Sequence, residues 1–248
     1  MGRSTGRPLG VAVAITAAVV AVLVGALLVQ WRSNAERADA AVSFAVPTPT
    51  ARTGVPSAAF IGDSYSAGTG ATGFNTRFTT LVSAYEGWSS NNFAYGGTGY
   101  LRAVTKNGAV GCGVNVCPRY GDVISKVARY NPTIVVVSGG RNDVLEDMPD
   151  VTVAISEFYR DLRRELPKAT IYSTSPIWDD RPPPAQLKQI QAAVRTAVES
   201  VGGTYIDIGE PLQGKPKLVA KDGVHPNNLG HAAIAHAVEV ALSAATKS

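Results

Sequence analysis

Cysteine and histidine are scarce in this chain, and their scarcity limits the metal chemistry that it can support. The 248 residues include two cysteines and three histidines. Two cysteines without further ligands cannot complete the tetrahedral shell of a structural zinc ion. His231 and His236 both fall in the predicted final helix, where a spacing of five does not place two ligands on one face. We therefore expect these histidines to be packed or solvent-facing, and we expect no metal site.

Charged residues are also few, and those of the carboxyl-terminal part nearly cancel. Charged side chains make up 17% of the chain and hydrophobic ones 45%, a balance that excludes an intrinsically disordered protein. The net charge is +4, but residues 1–56 carry five arginines against Glu36 and Asp39. The remainder is left with +1, so the basic character of the chain does not indicate a nucleic-acid-binding surface.

Several common motifs are absent or misplaced. No internal repeat is visible, and the G-x-S-x-G elbow of α/β-hydrolases does not occur. Gly68–Gly73 matches G-x-G-x-x-G, but a dinucleotide fingerprint lies on the strand–helix turn itself, with an acidic residue about 20 residues further on. Here Ser64 already occupies that turn and Glu86 is too near, so we do not expect a nucleotide site.

An apolar run near the amino terminus predicts a membrane anchor. Leu9–Val29 comprises 21 residues without a charge, enough for a helix to span a bilayer, and Arg3 and Arg7 precede it. The alternative is a cleaved signal peptide, because Ala38-Asp39-Ala40 resembles a cleavage site, although signal-peptide cores are shorter, at about 7–15 residues. The Arg-rich tail most easily stays in the cytoplasm, which would place the bulk of the chain outside. A cleaved segment would make the protein secreted.

Three parts are predicted along the chain. Residues 1–32 form a cytoplasmic tail and transmembrane anchor, residues 33–56 an Ala/Pro/Thr-rich tether, and residues 57–248 a single domain. Within the domain, strand and helix patterns alternate, which predicts an α/β doubly wound parallel sheet in a three-layer sandwich. The five predicted strands are Ala58–Ile61, Ser89–Ala94, Pro132–Ser138, Thr170–Ser175 and Thr204–Ile208.

A serine follows the first predicted strand directly. The apolar segment Ala58–Ile61 runs into Gly62-Asp63-Ser64, and ligands of open α/β sheets bind at the carboxyl ends of the strands. A serine hydroxyl becomes an effective nucleophile only beside a general base. The credible base lies far downstream at His225, with Asp222 three residues before it in the place of a triad acid. The alternative is a surface loop that only caps the last helix through the asparagines that follow.

Four segments together resemble the SGNH, or GDSL-type, hydrolase superfamily. In chain order they are Gly62-Asp63-Ser64, Asn92–Gly97, Gly140-Arg141-Asn142-Asp143 and Asp222-Gly223-Val224-His225. The resemblance implies the flavodoxin-like SGNH fold, a catalytic triad of Ser64, His225 and Asp222, and no cofactor or metal.

The resemblance also implies an oxyanion hole. Its donors would be the backbone N–H groups of Ser64 and Gly97 and the side-chain amide of Asn142. Gly96 takes the place of Gly97 if the register differs by one residue. Read alone, Asn142 is a turn residue after a strand.

The loops at the strand ends are expected to build the substrate pocket. They are Gly96–Pro118 and Trp178–Pro184, with Tyr95, Tyr100 and Trp178 as candidate walls, unless these aromatics only pack the loops. The first loop also contains Cys112 and Cys117. In an oxidising compartment so close a pair is expected to form a disulfide; the alternative is two unrelated thiols.

These observations predict a membrane-anchored, extracytoplasmic serine esterase that hydrolyses acyl esters through an acyl-enzyme. Its partners would be a small-molecule, glycan or lipid acyl ester and the membrane, without nucleic acid. The close alternative is an acyltransferase that passes the acyl group to a sugar or lipid hydroxyl at the same site. An alternative from another class is a non-catalytic binding domain of the cell envelope.

Overall fold

The structure, a computed structural model, describes residues 54–247. The predicted anchor and nearly all of the predicted tether lie outside these residues, so both stay predictions, as do the boundaries of the three parts. Within residues 54–247, no helix combines the length and the apolar character needed to cross a bilayer.

Five parallel strands form one sheet, which confirms the predicted α/β class. Its order is β2-β1-β3-β4-β5, the order of flavodoxin-like folds, in which ligands bind at the switch point between β1 and β3. Each neighbouring pair of strands is parallel. The strands are β1 (Ser57–Gly62), β2 (Ser89–Asn92), β3 (Ile134–Ser138), β4 (Thr170–Thr174) and β5 (Thr204–Ile206).

Helices connect the strands and cover the sheet. They are α1 (Ser64–Ala67), α2 (Phe78–Glu86), α3 (Gly108–Cys112), α4 (Ile124–Tyr130), α5 (Met148–Glu165), α6 (Ala185–Ser200) and α7 (Asn228–Ala245), with 3-10 turns at Phe74–Thr76, Gly121–Val123, Arg141–Leu145 and Pro216–Leu218. The helices α1 and α3 have only four and five residues, which are too few to show helical periodicity in the sequence. Helix α5 begins at Met148, and Pro149 fits the first turn of a helix.

Both faces of the sheet are buried under helices, which gives three layers. Alternate residues of β1 and β3 point to opposite faces. On one face Ile61 and Val137 pack with α4, α5 and α6, and on the other Phe60 and Val136 pack with α2 and α7. Fully burying a side chain of this size contributes about 1.5–3 kcal/mol relative to leaving it exposed. The two central strands are therefore well anchored, and they carry the segments described next.

Candidate active site

The turn after β1 presents Ser64 at the carboxyl edge of the sheet. Asp63 caps α1, because its side chain accepts a hydrogen bond from Tyr65 N at 2.9 Å. Ser66 Oγ donates to Ser138 O at 2.9 Å and fastens α1 to the end of β3. A Cβ atom at Gly62 would collide with that carbonyl and with the Ser66 hydroxyl, so the turn requires glycine there.

His225 and Asp222 meet Ser64 in a continuous chain of hydrogen bonds. Ser64 Oγ lies 2.9 Å from His225 Nε2, and His225 Nδ1 lies 2.7 Å from Asp222 Oδ2. Asp222 Oδ1 accepts two further bonds, from the backbone N–H groups of Val224 and His225, each at 2.9 Å. The carboxylate therefore favours the tautomer that carries its proton on Nδ1, leaving Nε2 to accept the serine proton.

The electrostatics of Asp222 favour its charged form. Partial burial acts to raise the pKa of Asp222, but the three hydrogen bonds from His225 and Val224 outweigh it and lower the pKa to about 2. The side chain of Asp222 is 48% exposed and that of His225 22% exposed, whereas Ser64 is 7% exposed. Solvent thus reaches Asp222 and His225 more easily than it reaches Ser64.

The loop of His225 also caps the last helix, so the two interpretations of this segment are compatible. The Asn227 side chain accepts hydrogen bonds from Leu229 N at 3.0 Å and Gly230 N at 3.1 Å at the start of α7. Its amide donates to the carbonyls of Lys217 and Val219. Asn227 therefore caps α7 while His225, two residues earlier, points to Ser64.

The segment after β2 brings Gly96 and Gly97 beside the serine. A Cβ atom at Gly96 would lie 3.6 Å from the Ser64 Cβ and would collide with Gly111 O. Gly97 has φ of 77°, in the left-handed region that favours glycine. Within residues 54–247 the backbone N–H groups of Ser64, Gly96 and Gly97 have no acceptor. Both glycines are structurally required, and the geometry leaves the oxyanion assignment between them as a prediction.

Asn142 connects the segment after β3 to this glycine segment. Its Nδ2 donates to Thr98 O at 2.9 Å, and Thr98 Oγ1 in turn donates to Tyr95 O at 2.8 Å. One amide hydrogen of Asn142 is used in this bond and the other remains for a ligand. Asn142 is thus more than a turn residue, and its role as an oxyanion donor stays a prediction.

Sequence reasoning assigned no role to Asp143. In the structure, Asp143 holds the part of the glycine-rich loop that follows Gly97 and Thr98. This fully buried carboxylate accepts hydrogen bonds from Tyr100 N at 2.8 Å, Leu101 N at 3.1 Å and Arg102 N at 2.9 Å. Burial raises its pKa, and the three N–H donors oppose that effect. The sequence signal for this role was its place at the end of the segment Gly140-Arg141-Asn142-Asp143, directly after Asn142.

A second buried carboxylate lies directly before the serine. Asp63 is 2% exposed, and burial raises its pKa from 3.8 to about 6, against the opposing effects of the Tyr65 N–H group and the Arg141 charge. Its cap of α1 persists in either protonation state, because the carbonyl oxygen of a neutral carboxyl group still accepts a hydrogen bond.

Of the three candidate substrate-wall aromatics, two lie at partly exposed positions. Tyr95 is half-buried and has the Lys126 ammonium 5.8 Å from its ring centre. Trp178 is half-buried as well. Tyr100 does not line an open site: it is 3% exposed, and its hydroxyl is hydrogen-bonded to that of Tyr159 at 2.8 Å within the core. The three hydrogen bonds that Asp143 accepts draw this part of the glycine-rich loop inward, which removes Tyr100 from the surface.

Cys112 and Cys117 form a disulfide in the structure, with Cα atoms 5.9 Å apart. Cys117 also pairs with Val104 through an antiparallel bridge, and α3 lies between them in the chain. Gly111, which directly precedes Cys112, is the residue whose carbonyl abuts Gly96. The disulfide therefore supports the segment that stands beside Ser64.

The remaining sequence features lie in α7 or against its start. His231 is fully buried: its Nε2 donates to Thr69 O at 3.1 Å and its Nδ1 accepts from Phe78 N at 3.4 Å. His236 is exposed, with Glu239 4.0 Å away. Gly70 in the G-x-G-x-x-G segment abuts Pro226 O, so this loop braces the start of α7. Residues 54–247 contain no group of three metal-ligating side chains.

The fold and these four segments define an SGNH-type hydrolase. The family model described as GDSL-like lipase/acylhydrolase matches residues 60–233, and the chain belongs to that family. The resemblance and the enzyme class inferred from the sequence are thereby confirmed. The chain is 27% identical over 196 residues to a GDSL lipase of Mycobacterium tuberculosis, covering 75% of this chain and 80% of that protein.

Solved structures share the fold. A carbohydrate esterase family 2 enzyme of Corynascus thermopiles superposes with a TM-score of 0.62 at 23% identity, over 81% of this chain and 69% of that one. A salicylyl-acyltransferase from a tetracycline biosynthetic pathway superposes with a TM-score of 0.57 at 18% identity, over 77% of this chain. The match spans only 55% of the acyltransferase chain. At these identities the likeness concerns the fold.

Proposed function

We propose that this chain is a serine esterase that hydrolyses acyl esters through a Ser64–His225–Asp222 triad. The observation that carries the proposal is the unbroken hydrogen-bonded chain from Ser64 Oγ to His225 Nε2 and from His225 Nδ1 to Asp222. An unassisted serine is a poor nucleophile, and this chain supplies both the base and the group that orients it.

In the proposed reaction Ser64 Oγ attacks the ester carbonyl carbon while His225 Nε2 takes the serine proton. The resulting oxyanion would be held by the N–H groups of Ser64 and Gly97 and by the free amide hydrogen of Asn142. Collapse of this intermediate expels the alcohol, which receives the proton from His225. A water molecule, activated by His225, then attacks the acyl-enzyme and releases the acid. The proposed steps use no metal or cofactor.

Transfer to water is favoured over transfer to another hydroxyl by the exposure of the base. Half of the Asp222 side chain and a fifth of the His225 side chain are open to solvent, so water has access to the group that would activate it. An acyltransferase with the same site is the second candidate. Release of acid in the presence of added sugar and glycerol, with little acylated alcohol formed, would support hydrolysis.

The substrate class proposed is an acyl ester of a small molecule, a sugar or a lipid. The family comprises lipases and acylhydrolases, and the fold is shared with a carbohydrate esterase. We propose further that the amino-terminal apolar run anchors the chain in the cell membrane with the domain outside. The stapled pair Cys112 and Cys117 supports an exported domain, because such disulfides persist in oxidising compartments.

Covalent labelling with a fluorophosphonate tests the proposal directly. The probe should modify Ser64 alone, and mass mapping of the labelled peptide should identify it. Ser64→Ala should abolish both labelling and ester hydrolysis at an unchanged melting temperature. The matched control is Ser156→Ala, an exposed serine on α5, which should leave both unaffected. Undiminished turnover in Ser64→Ala would overturn the triad.

A further inference from the structure

A buried guanidinium lies between the nucleophile helix and the loop after β4. The Arg141 side chain is 8% exposed, and its Cζ lies 4.7 Å from the ring centre of Tyr65 and 4.5 Å from that of Trp178. Its Nη2 donates to Asp179 Oδ2 at 3.1 Å, and its Nη1 donates to the Tyr65 hydroxyl. The Asp179 carboxylate is fully buried and is also bound by Arg181. Arg141 is thus held by two aromatic rings and by hydrogen bonds from both of its Nη atoms.

Tyr65 extends this network to the residue before His225. Its hydroxyl donates a hydrogen bond to Val224 O, and its ring lies 5.8 Å from the His225 ring. The direction of the network follows from the donors, since arginine has no acceptor and a carbonyl has no proton to donate. Arg141 must therefore donate to Tyr65, and Tyr65 must donate to Val224 O.

The base loop has few other attachments to the rest of the domain. Residues 219–226 bond mainly to one another and to near neighbours, as in Ala220 N to His225 O at 2.7 Å and the bridge of Val219 with Pro226. Within residues 54–247, only two hydrogen bonds of this loop reach more distant parts of the chain: Ser64 with His225, and Tyr65 with Val224. The Ser64–His225 bond is the catalytic contact itself. The Tyr65–Val224 bond is therefore the one that can hold the loop in position.

A gain in stability does not explain why Arg141 is buried. A buried ion pair contributes little net stability, because the loss of hydration offsets the attraction between the charges. Arg141 also stands between Gly140 and Asn142 in the chain, next to the proposed oxyanion donor. Arg141 and Tyr65 together thus connect the segment of Asn142, the helix α1 and the base loop.

We propose that Tyr65, oriented by Arg141, is a positioning residue that holds the Val224 carbonyl and thereby keeps His225 Nε2 within reach of Ser64 Oγ. The inference rests on the proposed esterase function. Tyr65 touches neither substrate nor reacting atoms in this role. Its removal should slow the chemical step without weakening the binding of the ester.

The test compares Tyr65→Phe with a matched control, Tyr159→Phe, in the full chain. Both substitutions remove one buried hydroxyl, and the hydroxyl of Tyr159 is bonded to Ser173 Oγ at 2.5 Å and to the Tyr100 hydroxyl in the core. The measurements are kcat and KM on p-nitrophenyl acetate, the rate of fluorophosphonate labelling, and the melting temperature. Misplacing a catalytic group by about 1 Å can reduce the rate about 100-fold, so we expect kcat and labelling of Tyr65→Phe to fall about 10- to 100-fold.

Tyr159→Phe should lose at least as much thermal stability while keeping its kcat, and KM should change little in either variant. The proposal is overturned if Tyr65→Phe keeps the parent kcat, if Tyr159→Phe loses as much activity, or if Tyr65→Phe raises KM alone. Ser64→Ala separates the two hypotheses. Undiminished turnover in Ser64→Ala contradicts the proposed function, whereas a loss of activity in Ser64→Ala beside an unchanged Tyr65→Phe contradicts the positioning role alone.

Discussion

Asn142 donates its side-chain amide to the carbonyl of Thr98 at 2.9 Å, and this bond joins the segment after β3 to the glycine segment beside Ser64. The two segments contribute two of the three proposed oxyanion donors. A single amide thus joins the two segments through one hydrogen, and in the proposed mechanism it would offer the other to the substrate. The consequence is that replacing Asn142 should affect the transition state much more than the fold.

Asn142→Ala is therefore predicted to lower kcat by about 100- to 1000-fold, the usual effect of removing one oxyanion donor. Fluorophosphonate labelling should be slowed but still detectable, because Ser64 and His225 remain. Turnover and labelling rate are the measurements. The control is Asn228→Ala, which loses hydrogen bonds to Thr72 near the start of α7 but no oxyanion donor. An unchanged rate in Asn142→Ala would reduce the residue to a link between loops.

Asp222→Asn tests the group that orients His225. The asparagine oxygen can still accept from the N–H groups of Val224 and His225, so the loop should keep its shape. The amide nitrogen would face His225 Nδ1 and favour the wrong tautomer, which predicts a loss of kcat of about 10,000-fold. Comparable circular dichroism and melting temperature would exclude unfolding as the cause. Turnover near that of the parent would remove Asp222 from the triad.

The stability of the domain should depend on pH through Asp63. Its pKa is raised from 3.8 to about 6 by burial, so between pH 4 and 6 the folded state holds a proton that the unfolded state has lost. The free energy of unfolding contributed by this group is therefore fully present below about pH 4 and falls as pH rises through 6. A shift of about two pKa units corresponds to about 3 kcal/mol.

Asp63→Asn removes this titration and keeps an oxygen to cap α1. The free energy of unfolding, measured with urea, should fall in the parent but not in Asp63→Asn. The difference between variant and parent should therefore increase by up to about 3 kcal/mol from pH 4 to pH 7. Asp63→Ala should show the same slope but lie lower throughout by about 1 kcal/mol, because the cap is lost. A difference that stays constant with pH would contradict a raised pKa at Asp63.

The sequence was informative where the structure depends on local pattern. The β-branched run of β3 and the apolar approach to Ser64 predicted the central strands, and the order of Ser64, Asp222 and His225 predicted residues that the structure brings together. Tyr100 was misjudged, because its glycine-rich surroundings suggest an exposed loop. The contact with Asp143, 43 residues away, draws that loop into the core.

Long-range side-chain networks were beyond the reach of sequence reasoning for the same reason. Tyr65 contacts Arg141, 76 residues away, and Val224, 159 residues away, and neither spacing leaves a periodic signal. The choice between Gly96 and Gly97 was also left open, since adjacent glycines are distinguished only by the atoms that approach them. In the structure those atoms are Gly111 O and the Val104 side chain.

The disulfide between Cys112 and Cys117 bears on both the active site and the expected location of the protein. The bridge between Cys112 and Cys117 fixes the position of Gly111, the residue before Cys112, whose carbonyl abuts Gly96. It therefore supports one side of the site rather than the core. A disulfide that closes so short a loop contributes on the order of 2 kcal/mol in the chain-entropy model. For a domain of this size, that corresponds to a fall in melting temperature of roughly 4–8 °C.

Cys112→Ser combined with Cys117→Ser is therefore predicted to lower the melting temperature by this modest amount and to change turnover or ester preference more clearly. Reduction of the parent should reproduce both effects. The location is tested by counting thiols under denaturing, non-reducing conditions in protein recovered from its native membrane. An exported domain should contain no free thiol. Two free thiols would contradict both the exported orientation and the oxidised pair. An unaltered ester preference in the double variant would contradict a role of this loop at the active site.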